Sequence, residues 1–383
     1  MLRFLTAGES HGKALLVIVE GLPAGLPLTV EQIAGELARR RLGYGRGPRM
    51  RFEQDEVTLV AGVLHGRTIG SPVGIEIANT EWAKWEELMS PAPGGEGRRL
   101  TQPRPGHADL AGMQKYGFDE VSKVLERASA RETAARVAAG TCCKALLAEL
   151  GVEVLSHVVA LGGVVSKAAQ RPLPADLDRI DESPVRCFDP DAEAAMVTEI
   201  KAAMKDGDSL GGVVEVLAYG VPVGLGSHVH WDRKIDALLA QALMSIQAVK
   251  GVEIGDGVDV SAQRGSAAHD PIGWDSERQA YRRESDRAGG IEGGMTTGGL
   301  VWARAYMKPL ATLARPTLGT VDTDSKEATV SFKERTDATA VPAMGVVAES
   351  MTSWVLANEG VRKFGGDSIA EVIRNRDAYV ASL

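Results

Sequence analysis

The sequence predicts an α+β fold in which helices lie between sheets, and three observations predict it. Residues 134–148 are small or apolar almost all round, broken mainly by Arg136 and Lys144. A helix without a broad polar face is buried inside the protein. Strand, helix and strand recur in both halves of the chain, as in a weak internal pseudo-repeat. No linker of Pro, Ser or charge divides the 383 residues, the nearest candidate being residues 167–181 with two prolines. They therefore read as a single domain over 1–383.

The elements follow in order. Residues 17–20 read as a strand, stopped by Gly21-Leu22-Pro23. Thr29 and Gln32 have the spacing of a capping box, with Thr29 as N-cap. Val30, Ile33, Ala34 and Leu37 mark the apolar face of the helix that follows. Arg39, Arg40 and Arg41 sit at its negative end, and Gly43 is the expected stop. Strands are expected at residues 56–63 and 73–77. Residues 122–150 form the longest helical candidate, and Ala134, Ala135, Ala138, Ala139 and Gly140 let another helix come close. A strand at 213–217 precedes a helix at 232–249, with Ile235, Leu239 and Leu243 on its apolar side. A strand at 299–307 and helices at 340–357 and 367–379 complete the reading.

Composition narrows the function. The chain is 44% hydrophobic and 25% charged, as a folded protein is. A formal net charge of −8 argues against nucleic-acid binding, which needs a basic face. Three cysteines, Cys142, Cys143 and Cys187, form no CxxC, so neither a zinc knuckle nor a redox pair is expected, and no metal site is expected. The amino terminus lacks a secretory pattern, and no apolar run of about 18 residues suits a membrane span. The expected location is the cytoplasm. Against this acidic background stand 29 Arg and 14 Lys, with six of the arginines between Arg39 and Arg51. That density points to a local anion site.

Five segments carry chemistry. In Gly8-Glu9-Ser10-His11-Gly12, a histidine between glycines is either a satisfied loop residue or a general acid. The segment from Arg39 to Arg51 can clamp phosphate or carboxylate in bidentate fashion, or be a solvated helix end. Arg104-Pro105-Gly106-His107-Ala108-Asp109 sets a second loop histidine beside an arginine, with Asp109 as a candidate cap for the next helix. Arg127 and Arg131 share a helix face and are answered by an anion, or by Glu126 and Glu132. Near the carboxyl end, the Gly293 to Gly298 turn, Lys308 to Thr312, and Arg335 with Asp337 offer backbone N–H groups, hydroxyls and charges to a phosphate.

Together, GESHG, RRRLGYGRGPRM, RPGHAD, RASARET, GGMTTG, KPLAT and KERTDATAVPA resemble the chorismate synthase family, in an order spanning residues 8–343. The resemblance implies a β-α-β sandwich with sheets flanking a central helical layer, and a homotetramer. It implies an anti-1,4-elimination of phosphate from 5-enolpyruvylshikimate 3-phosphate to chorismate, needing reduced FMN without net redox change. His11 would protonate the departing phosphate, His107 would balance the reduced flavin's charge, and Asp337 with flavin N5 would take the ring proton. Ser10, Arg40, Arg46, Arg49, Arg131 and Arg335 would bind substrate. Arg127, Ala128, Ser129, Gln247, Ala248, Gly293, Lys308, Pro309, Leu310, Ala311, Thr312 and Arg335 would contact FMN. In some members Arg40 and Arg46 are linked to NADPH. A phosphosugar or nucleotide transferase using the Arg and Gly loops is the rival reading, but the chain has no P-loop and the rival leaves the two histidines unexplained.

Overall fold

The computed structural model describes residues 1–47, 55–93, 99–277, 279–332 and 336–383. Two antiparallel sheets enclose a helical layer. The first sheet runs in the spatial order Arg3–Ala7, Ala14–Glu20, Val73–Ala78, Val57–Ala61. The second runs Val249–Ile254, Val301–Met307, Gly212–Tyr219, Glu153–Leu161, Val164–Val165. Helix Thr133–Glu149 packs on the first sheet and helix Val341–Phe364 on the second. The two helices also pack on each other, so residues 3–149 supply one sheet with its inner helix and residues 153–364 the other. This is the expected sandwich.

Residue choice explains the layering. Alternation in the first sheet turns Leu15, Val17 and Val19 inward, with Val73, Ile75 and Ile77, while Leu16 and Ile18 remain exposed. Twelve of the seventeen residues of helix Thr133–Glu149 are buried, as its lack of a polar face requires. A Cβ on Gly140 would lie 2.3 Å from Ser350 Cβ, so only glycine permits this helix contact. The linker candidate at 167–181 is partly helical. It leads into helix Leu177–Glu182, whose Ile180 packs with Leu155, Leu217 and Trp302 on the outer face of the second sheet.

Three boundaries differ from expectation. The candidate helix at 122–150 is broken into Ser122–Ala128, a 3-10 turn Ala130–Glu132, and Thr133–Glu149. Ser129 is extended there, and its Oγ accepts the Arg131 N–H at 3.3 Å. The helix expected at 232–249 spans only Ile235–Met244, because Ala248 turns left-handed and Val249 starts a strand. Helix Val341–Phe364 runs seven residues past 357, through buried Gly360 and on to Phe364, with Gly365 as cap. The Thr29/Gln32 capping box forms as expected.

Candidate active site

The break at Ser129 organises the first part of the site. Loop 8–12 docks onto the end of helix Ser122–Ala128. Gly8 has φ +99° and approaches Ala14 O so closely that a Cβ would sit 2.3 Å from it. Ser10 N donates to Glu126 O at 3.0 Å, and Ser10 Oγ meets Ser129 Oγ at 3.0 Å. Arg127 Nη1 donates to Gly8 O at 2.7 Å. The His11 ring bonds Glu126 Oε1 through Nδ1 at 2.8 Å and is 13% exposed. Trp85 lies against its face, 4.0 Å between centroids. His11 Nε2 makes no hydrogen bond among the described residues.

The 3-10 turn aims Arg131 into the first sheet's end. Its Nη1 pairs with Asp55 Oδ1, and Nη2 donates to Ala78 O at 3.3 Å. Arg40, buried, comes to the same aspartate at 3.7 Å and donates to Thr133 Oγ1 at 3.3 Å. Two substrate candidates from distant segments thus converge on one carboxylate. The bland reading had Glu126 and Glu132 answering Arg127 and Arg131. Instead Glu126 holds His11, while Glu132 accepts from Arg136, Thr6 and Gln247.

The second histidine belongs to another group. Arg104 donates Nε to Asp109 Oδ2 at 2.8 Å and Nη1 to Thr312 Oγ1 at 3.0 Å, and its guanidinium covers Phe332 at 4.9 Å. His107 Nδ1 bonds Asp109 Oδ1. Asp109 is therefore no N-cap. It lies within its helix, and its carboxylate is consumed by Arg104 and His107. Burial by itself would raise this carboxyl, but the His107 and Arg104 bonds outweigh it and hold it well below the usual range. Lys308 Nζ reaches Gly106 O, and Ala311 comes near the same glycine. Leu310 O accepts from Ser209, and Pro309 N lies beside Gly211. Lys308 N donates to Ala248 O at 3.0 Å, which joins the Lys308–Thr312 run to Gln247 and Ala248.

A third group lines a cleft of about 300 Å³ between Arg46, Gly47, Met204, Asp208, Ala314 and Asp337. Arg46 Nε pairs with Asp337 Oδ2 at 3.1 Å, and Gly47 N donates to Oδ1 at 2.6 Å. Arg49 and Arg335 lie outside the described residues. Gly293 is set apart: its turn meets the start of helix Ile235–Met244, where Gly294 O accepts from Ile235 N. Gln247 follows the other end of that helix, about 15 Å away along ten residues. Sequence reasoning missed Asp55 and Trp85 altogether. Neither lies in a motif, and only folding brings them to Arg131 and His11.

Arginines and two carboxylate-held histidines on the rim of a sandwich define an enzyme for a phosphorylated, anionic small molecule. The chorismate synthase family matches residues 2–361. Chorismate synthase of Salinispora tropica is 60% identical, covering 100% of this chain and 99% of that protein. That of Thermobifida fusca is 58% identical, with 100% and 99% covered. A crystal structure of chorismate synthase superimposes with a TM-score of 0.80 at 40% identity, covering 100% and 98%. The chain belongs to the chorismate synthase family, and is accordingly a carbon–oxygen lyase acting on a phosphate. Among the described residues, no helix is long and apolar enough to cross a membrane.

Proposed function

We propose that this chain eliminates phosphate from 5-enolpyruvylshikimate 3-phosphate to give chorismate, with reduced FMN as a non-consumed cofactor and His11 as the proton donor. The observation that carries the reading is the His11 ring, held through Nδ1 by Glu126 with Nε2 left for a ligand. His11 donates from Nε2 to the departing phosphate oxygen. Arg40 and Arg131 bind substrate anions beside Asp55, and Ser10 and Arg46 bind at the neighbouring edges. Asp337 takes the ring proton on its carboxylate. Gly47 N donates to Oδ1 and Arg46 Nε is ion-paired with Oδ2, and each oxygen keeps a lone pair for that task.

The residues present fit FMN. Gln247 Oε1 is buried without a hydrogen-bond partner, and the next residue, Ala248, holds a left-handed φ of +66°. A buried orphan acceptor beside a strained backbone is what a ligand-binding turn shows. Arg127, Ala128, Ser129, Gln247, Ala248 and the Lys308–Thr312 run would hold the flavin, and His107 would balance its negative charge. When bound, reduced FMN would supply electron density that favours departure of the phosphate.

The same reading makes the chain one functional domain, since one apolar core includes Leu15 and Val17 of the first sheet and Val214 and Val216 of the second. Exposed Leu5, Leu16, Ile18 and Val60 on the first sheet's outer face support self-association, here as a homotetramer. Three buried free thiols suit a reducing cytoplasm. NADPH as reductant is tested by its oxidation with FMN under anaerobic conditions, where Arg46→Ala slows the oxidation if that arginine serves it.

The proton-donor role is tested by His11→Ala, assayed anaerobically with reduced FMN. Turnover falls by about 10²-fold or more while the FMN spectral titration stays intact. Near-wild-type turnover would overturn the role.

A further inference from the structure

We propose that Glu126 is the positioning residue that sets the tautomer and orientation of the His11 imidazole. The inference rests on His11 being the proton donor. Glu126 stands in the last turn of helix Ser122–Ala128, and its two oxygens do different jobs. Oε1 meets His11 Nδ1 at 2.8 Å, and Oε2 accepts the His11 backbone N–H at 2.9 Å. A carboxylate only accepts, so Nδ1 carries the hydrogen and Nε2 is the nitrogen that exchanges protons with a ligand.

One side chain therefore ties the ring to its own backbone. Rotation of the imidazole breaks the Oε1 bond while the Oε2 bond stays, so there is one orientation in which both oxygens are used. Trp85 closes one ring face, at an interplanar angle of 32°. This carboxylate is not the loop's only anchor. Ser10 N on Glu126 O, Ser10 Oγ on Ser129 Oγ and Arg127 on Gly8 O hold it to the same helix end. Glu126 and Ser129 thus share the anchoring, but only Glu126 touches the imidazole. Changing its carboxylate releases the ring and leaves the loop docked.

The test is Glu126→Gln beside His11→Ala. Glutamine puts an NH2 donor where one of the two carboxylate oxygens stood, so the present geometry, with one oxygen on the ring N–H and the other on the backbone N–H, cannot be kept. In Glu126→Gln, kcat falls by about 10- to 100-fold with KM changed less than about threefold, and thermal stability is kept. Independently of any variant, ¹⁵N spectra of the wild-type enzyme show neutral His11 as the Nδ1–H tautomer. Full kcat in Glu126→Gln with a dead His11→Ala overturns the positioning role and leaves the proton donor standing. Near-wild-type turnover in His11→Ala removes both. A wild-type His11 found as the Nε2–H tautomer overturns the proposal even if Glu126→Gln fails to fold.

Discussion

Arg39 and Arg40 are neighbours in the chain and serve different regions of the molecule. Successive helical residues point about 100° apart, and this turn decides their partners. Arg39 enters the helical layer and donates to Glu349, Asp181 and Glu36. Arg40 turns to Asp55, which Arg131 also holds. The Arg39 region is centred on Glu349, which is 0% exposed and also accepts from Lys144, Ser156 and Arg186. Three cations there meet three carboxylates, Glu36, Asp181 and Glu349. The Asp109 region has the same ingredients, a buried carboxylate gripped by an arginine. It differs in carrying an imidazole, His107, at its edge, where the other cluster has the carboxylates Glu36 and Asp181 at similar exposure. A cluster of permanent charges pins helices together, and one that includes an imidazole adds a group able to exchange a proton with a ligand. Within the dense arginine segment, Arg39 therefore serves the helical layer while Arg40 and Arg46 meet other carboxylates.

The comparison predicts that damage to the Glu349 region costs stability and damage to the histidines costs rate. The largest effect is expected from Glu349→Ala, which leaves Arg39, Lys144 and Arg186 facing two carboxylates. It lowers folding stability by about 3–5 kcal/mol, read from denaturant midpoints, while turnover per folded molecule is kept. An unchanged midpoint would break the comparison. The cluster also has a pH signature. Burial by itself would raise Glu349, but Arg39, Lys144 and Arg186 outweigh it and hold it well below its ordinary value of 4.5. Its stabilisation is present above that value and lost as pH falls below it, so Glu349→Gln shows a shallower acid limb of stability against pH.

A smaller free-energy effect of the opposite kind is expected from His107→Ala. Turnover falls by about 10²-fold, or roughly 3 kcal/mol of barrier, and the midpoint moves by less than about 1 kcal/mol. A matching loss of stability would show that the Asp109 region is also a structural cluster. The smallest effect sharpens the boundary between the two. Thr29→Ala removes the cap of the helix that carries both arginines and costs about 1 kcal/mol, without changing turnover per folded molecule.

Local rules made some of this legible in advance. The Thr29/Gln32 box, the alternation of the first sheet and the small-residue face of residues 134–148 each depend on neighbours in sequence. Ser129 did not read as a break, because the helical pattern continues through it and the competing bond, from Arg131 N–H to the Ser129 hydroxyl, is short-range but conformational. Asp109 looked like a cap from its position, and long-range demand from Arg104 and His107 took it instead. Glu126 looked like a partner for the nearby Arg127 and Arg131, while loop 8–12 claimed it from 115 residues off.

What the sequence alone determined is therefore the element types, the buried helix, the family and the two loop histidines, since periodicity, capping and motif order are properties of consecutive residues. The tertiary structure decided which acid holds which base. Asp55, Glu126, Glu349 and Trp85 take their roles from partners far away in the chain. Such pairings are set by which side chains must satisfy a buried charge at a given depth, and no local pattern records that.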